Sequence, residues 1–143
     1  MTYATQQDLV DRFGTPELAQ LTDPVSGTTI NATTVARALG DADAEIDGRL
    51  APRYQLPLAS TPLVLVRVAA DLARYFLWDA RATEQVRNRA QEARRLLDQI
   101  AAGDVVLGGA TVLAAGPAAV AVVASSPTRT FSSDLLDQFA PGG

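Results

Sequence analysis

Between Asn31 and Leu50 the apolar residues Val35, Leu39, Ala42, Ile46 and Leu50 recur at steps of four, three, four and four, which lays them along one stripe of a helix. The opposite face carries Arg37, Asp41, Glu45 and Arg49, each four residues from the next. That spacing predicts a solvated surface with opposite-charge pairs contributing roughly a few tenths of a kcal/mol each. The helix ends near Ala51, because Pro52, Pro57 and Pro62 fall within eleven residues. Each proline fixes its own φ and keeps the preceding residue out of the α region. A second long helix restarts at Thr61-Pro62, with Thr61 offering an oxygen to the free amides and Pro62 having no amide to leave unsatisfied. Its stripe is Leu65, Val68, Leu72 and Tyr75 or Phe76, while Ala69, Ala70 and Ala73 permit close approach of another helix. Trp78 stands at its end as a core or interface anchor. A third long helix is capped by Thr83, turns Val86, Ala90, Ala93, Leu97 and Ile100 inward, and stops at Gly103.

Shorter elements flank these three. Thr5 caps a helix with Asp8 in its first turn, Leu9, Val10 and Phe13 inward and Gly14 as a left-handed stop. Thr15-Pro16 repeats the start signal for a second short helix from Glu17 to Leu21, and DPVSGTTI, Asp23 to Ile30, is a surface loop. Past Gly103, the runs Val105 to Leu107, Thr111 to Ala115 and Val120 to Ala124 are β-prone and punctuated by Gly and Pro. The expected fold is mainly α: a small antiparallel helical bundle over residues 1–103, a β-prone hairpin or arm over 104–124, and a flexible C-terminal tail over 125–143. In that tail Ser133 can cap a turn holding Leu135, Leu136 and Phe139.

Composition narrows the chemistry. The 143 residues include no Cys and no His, which removes the commonest general base, the commonest zinc ligands and the usual catalytic triads. No catalytic residue, metal or cofactor is expected, and the chain is read as not an enzyme. Asp41, Asp43, Glu45 and Asp47 alternate around a helix and do not converge on a cation, and Gly108-Gly109 lacks the Lys and the following helix of a phosphate loop. The net charge is −4, which argues against a general nucleic-acid binder. All twelve basic residues are Arg, the side chain whose rigid fork suits bidentate carboxylate pairs. The opening TYATQQD is polar and unlike a signal peptide, so synthesis and use in the cytoplasm are expected. Val105 to Thr128 carries no charge, but Gly108, Gly109, Gly116 and Pro117 break it, so no membrane partner is expected.

One charge pattern stands out. Arg67, Arg74 and Arg81 recur every seven residues, and Arg87 and Arg94 repeat the interval, which keeps each set on about one face. Asp71 is expected to pair with Arg67 and Arg74, with Glu84, Asp79 or Glu92 taking some of the rest. From Arg81 to Arg95 there are five Arg and two acids. Arg87, Arg89, Arg94 and Arg95, with Arg37 and Arg49, are therefore candidates for contacts between subunits or with DNA. The N-terminal helix pair invites comparison with a helix-turn-helix, and a DNA-binding regulator is one alternative, but its second helix offers only Gln20 to read a groove.

The stretches YATQQDLVDRFG (Tyr3 to Gly14), DADAEIDGRL (Asp41 to Leu50), RYQLPL (Arg53 to Leu58) and RVAADLARYFLW (Arg67 to Trp78) together resemble the small helical head-tail connector, or adaptor, proteins of tailed phages, in the branch found in Mu-like phages and prophages. The resemblance runs over residues 3 to 103. It implies a virion subunit in the neck, assembled in the host cytoplasm into a ring of about a dozen copies. The implied partners are further copies of itself, the portal protein and a tail-side neck or tail terminator protein, with non-specific contact to DNA in the channel. Arg129, Phe131, Leu135, Leu136 and Phe139 are the residues expected to dock on the portal, as apolar anchors on a segment that folds upon binding. Another tail structural subunit or an assembly chaperone is the remaining alternative.

Overall fold

The computed structural model describes residues 1–113. Among them lie α1 (Gln6–Phe13), α2 (Thr15–Thr22), α3 (Ala32–Leu50), α4 (Leu63–Trp78), a 3-10 turn (Asp79–Arg81) and α5 (Glu84–Ala102). The starts and stops are chemical. The Thr5 hydroxyl accepts from the Asp8 amide at 3.2 Å while the Asp8 carboxylate accepts from the Thr5 amide at 2.8 Å, a reciprocal cap that satisfies two free donors. Asn31 accepts from the amides of Thr33 and Thr34 at 3.0 and 3.2 Å to open α3. Thr83 accepts from Val86 at 3.3 Å to open α5, and Gly103 ends it in the left-handed conformation, φ 89°, ψ 2°.

Three local expectations are corrected. Thr61 does not cap α4, because Pro62, with ψ 144°, is itself the cap residue and no side chain bonds the first turn; Thr61 stands one position too early. Gly14 has φ 90° but ψ 150°, outside the left-handed helical region, and it serves both as the end of α1 and as the cap of α2. Thr15 therefore lies inside α2, which begins earlier and ends later than the predicted Glu17 to Leu21.

α4 packs against both α3 and α5, and α1 and α2 also lie on it. Contact on so many sides explains why Leu65, Val68, Ala69, Ala70, Leu72 and Ala73 are all wholly buried. The fourth turn is filled by Leu77, with Tyr75 and Phe76 only half-buried at its sides. The predicted stripes of α3 and α5 are buried at every position.

Met1–Val112 forms one compact unit. After Gly103 the chain turns back over the loop that joins α3 to α4. Tyr54 is buried, and its hydroxyl accepts from the Leu107 amide at 3.4 Å. Gln55 donates to the Thr111 carbonyl at 2.9 Å, and an isolated antiparallel bridge pairs Tyr54 with Val112. Val105 to Leu107, expected as β, is not a strand. Among the described residues it has no strand beside it; Leu107 drops into the core instead, and the Ala110 amide closes a turn on the Leu107 carbonyl at 3.3 Å. The remaining β-prone runs and the tail, residues 114–143, lie outside the described residues.

Candidate functional site

α5 buries Val86, Ala90, Ala93, Leu97 and Ile100, so helical geometry sends its arginines outward or to the edges of the core. Arg87, Arg89 and Arg95 are exposed, as is Arg37 on α3. Arg94 is not free: its Nε and Nη2 donate to Glu45 of α3 at 2.7 and 3.2 Å, and its guanidinium lies 5.2 Å from the centre of the Tyr75 ring. The hydrogen bond to Glu45 holds its proton more firmly than usual, against the opposing effect of burial. Arg49 is also committed, to Glu45 at 3.4 Å and to Asp98 of α5. Of the six arginines that the sequence offered for contacts, two thus stitch α3 to α5 within the chain. The face of α3 read as solvated is engaged at Glu45 and Arg49, while Arg37 and Asp41 stay exposed.

The seven-residue arginine series does not share one role. Arg74, expected on Asp71, binds Glu17 of α2 with two hydrogen bonds of 2.9 and 2.7 Å and lies 4.4 Å above the Phe13 ring. A bidentate, half-buried partner outcompetes a neighbour on the same helix. Arg67 keeps Asp71, but only at 3.9 Å, and Arg89 approaches the same carboxylate at 3.9 Å from α5. Among the described residues, Glu84, Asp79 and Glu92 take no arginine in an ion pair.

Asp43 and Asp47 of α3 hold the N-terminal segment. Asp43 accepts from the Tyr3 amide at 3.0 Å, and Asp47 accepts from the Tyr3 hydroxyl and from the Met1 ammonium at 3.2 Å. Burial pushes the Tyr3 hydroxyl well above the ordinary tyrosine range, helped by its bond to Asp47 and the charges of Asp47 and Asp43. Burial likewise raises Asp43, opposed chiefly by the Tyr3 amide. Among the described residues no three His, Cys, Asp or Glu side chains gather as a metal would require.

Two of the clefts among the described residues are lined by arginines. One, of about 400 Å3, lies between α1 and α5 over α4 and is lined by Arg12, Phe13, Arg67, Asp71, Arg89 and Glu92. Burial raises the Asp71 carboxyl, while Arg89, Arg67 and, more weakly, Arg12 and Arg74 pull it down. The other, of about 300 Å3, runs between α3 and the end of α4 past Arg37, Asp41, Trp78 and Arg81. Trp78 is half-buried there, and its Nε1 is buried without a partner among the described residues. The clefts and the Glu17–Arg74 clasp escaped the sequence reading, since each joins segments far apart in the chain. The portal-docking candidates Arg129, Phe131, Leu135, Leu136 and Phe139 lie outside the described residues.

What the described part defines is a helical domain with an arginine–carboxylate surface, and in it no helix is long and apolar enough to cross a membrane. Residues 3–125 match the model of the family described as Bacteriophage Mu, Gp36, and the chain belongs to that family. The match continues past the stretch over which the sequence motifs resembled it. The chain is 37% identical over 106 residues to the Mu-like prophage FluMu protein gp36 of Haemophilus influenzae, covering 74% of this chain and 75% of the relative. It is 36% identical over 118 residues to gene product J of Escherichia phage Mu, covering 82% of this chain and 84% of that protein.

Proposed function

We propose that the chain is a non-enzymatic assembly protein of the virion: a head-tail connector subunit that forms a ring between portal and tail. The observation that carries this reading is membership of the Mu Gp36 family over residues 3–125, joined to the likeness of its ordered motifs to small helical connectors. A closed ring suits such a surface, because each copy binds two neighbours and a cyclic platform, so weak single contacts add up around the circle. Of the arginine candidates, Arg37, Arg87, Arg89 and Arg95 are exposed and serve neighbours or DNA in the channel. The segment carrying Arg129, Phe131, Leu135, Leu136 and Phe139 docks on the portal, with Phe131 the first anchor. The protein then resides in the neck of the virion, after assembly in the host cytoplasm.

Removing the gene from a phage that carries it is expected to leave DNA-filled heads and finished tails unjoined, as seen by electron microscopy. Supplying the full chain restores joining. Supplying residues 1–125 leaves joining lost while the soluble chain keeps its helical circular dichroism. Joined, infectious particles without the gene would overturn the reading, and joining by residues 1–125 would place the docking surface elsewhere.

A further inference from the structure

The cleft between α1 and α5 is lined by three arginines from three different helices: Arg12 of α1, Arg67 of α4 and Arg89 of α5. Elsewhere in the fold arginine and carboxylate close to hydrogen-bond distance, as in Arg74–Glu17 at 2.7 Å and Arg94–Glu45 at 2.7 Å. In the cleft they do not. Arg67 and Arg89 both stop 3.9 Å from Asp71, and their side chains remain 56% and 50% exposed. Arg12 is exposed and forms no ion pair among the described residues. Asp71, only 8% exposed at its side chain, is fixed beneath them. It attracts the arginines without using up their N–H groups, so several donors face the open cleft already gathered, and the entropy cost of collecting them is reduced before any ligand arrives.

We infer that this cleft receives a carboxylate side chain from a second copy of the chain, as a contact between neighbours. The inference rests on the connector reading and deepens it by naming one side of the subunit contact. Charge decides the occupant. The chain is acidic overall, at −4, so copies repel except where a local basic site meets an acidic surface. Three arginines over one fixed carboxylate and Glu92 leave a small local positive excess in the cleft. That excess suits one incoming carboxylate held by the forked donors of arginine. A duplex carries one phosphate charge per about 3.4 Å of axis on each strand and asks for a broad basic track, whereas here Asp71 and Glu92 interrupt the basic face. A head-to-tail contact of this kind is heterologous, and a heterologous contact is the kind that closes into rings.

The test replaces Arg12 with Glu, and separately Arg89 with Glu, in the full chain supplied to a phage lacking the gene. Copies per particle are counted by quantitative mass spectrometry against the capsid protein. The wild-type chain must first be found in the particles; its absence would sink the connector reading itself. Each variant is expected to enter particles at least about tenfold less than wild type, because a reversed charge at every repeat is felt around the whole ring. Arg12→Lys is expected to recover part of the loss. Should Arg12→Glu fail to match the wild-type melting curve, Arg12→Gln takes its place at this exposed position. Undiminished incorporation of folded variants overturns the inference. So does salt-sensitive binding of a 30-base-pair duplex by wild type that the variants lose, since the cleft would then be a phosphate site.

Discussion

A Leu72→Ala chain melts some 10–20 °C below the wild type in a circular dichroism scan, the shift expected for a loss of about 3 kcal/mol or more in a domain of this size. Leu72 is wholly buried on α4, the helix that both α3 and α5 cover. Its removal loses transfer energy and leaves a void. The helix is buried on every side here, with Ala69, Ala70 and Ala73 also fully buried, so the surrounding packing relaxes only partly into the gap. The loss is a large share of the ~5–15 kcal/mol that such a domain has in total. A shift of only a few degrees would mean that α4 is not the centre of the core.

The second large effect is at Arg74. Its guanidinium holds both oxygens of Glu17 and lies over Phe13, and the two side chains are only 13% and 23% exposed. Arg74→Ala strands a half-buried carboxylate and uncovers an aromatic ring, for a cost of about 2–3 kcal/mol. The damage is local. Amide exchange should accelerate through α1 and α2 while the inward amides of α5 keep their protection. The double variant Glu17→Ala, Arg74→Ala should cost less than the sum of the two single changes, because the stranded charge is gone. Additive costs would show that the pair is not coupled.

These two sites also show what a sequence can and cannot disclose. The α3 stripe from Val35 to Leu50 and the α5 stripe from Val86 to Ile100 were legible because helical periodicity is a property of one continuous segment. The same holds for the caps at Thr5 and Thr83 and for the stop at Gly103, where the donor and its acceptor lie within a turn. Charge pairing follows no such rule. Arg74 has Asp71 three residues away, yet binds Glu17, 57 residues distant; Arg94 finds Glu45 across 49 residues. Local spacing proposes the near partner, and tertiary packing offers a better one. Val105 to Leu107 failed for a related reason. Its β-branched residues favour extended backbone, but a strand needs a neighbouring strand, and the fold supplies a buried slot for Leu107 instead.

The order in which the chain is made sets a condition on the N-terminal clasp. α3, α4 and α5 follow one another in sequence and pack on one another, so they can close as soon as each has been synthesised, through short-range contacts that form quickly. α1 and α2 leave the ribosome first, yet their anchors, Asp47 for Tyr3 and Arg74 for Glu17, arrive only with the middle of the chain. Until then Leu9 and Leu18, fully buried in the finished fold, have nothing to cover them. Pulse-labelled hydrogen exchange during refolding should accordingly protect α3 to α5 before α1 and α2, and a nascent chain halted before α4 is the form most exposed to chaperones and proteases.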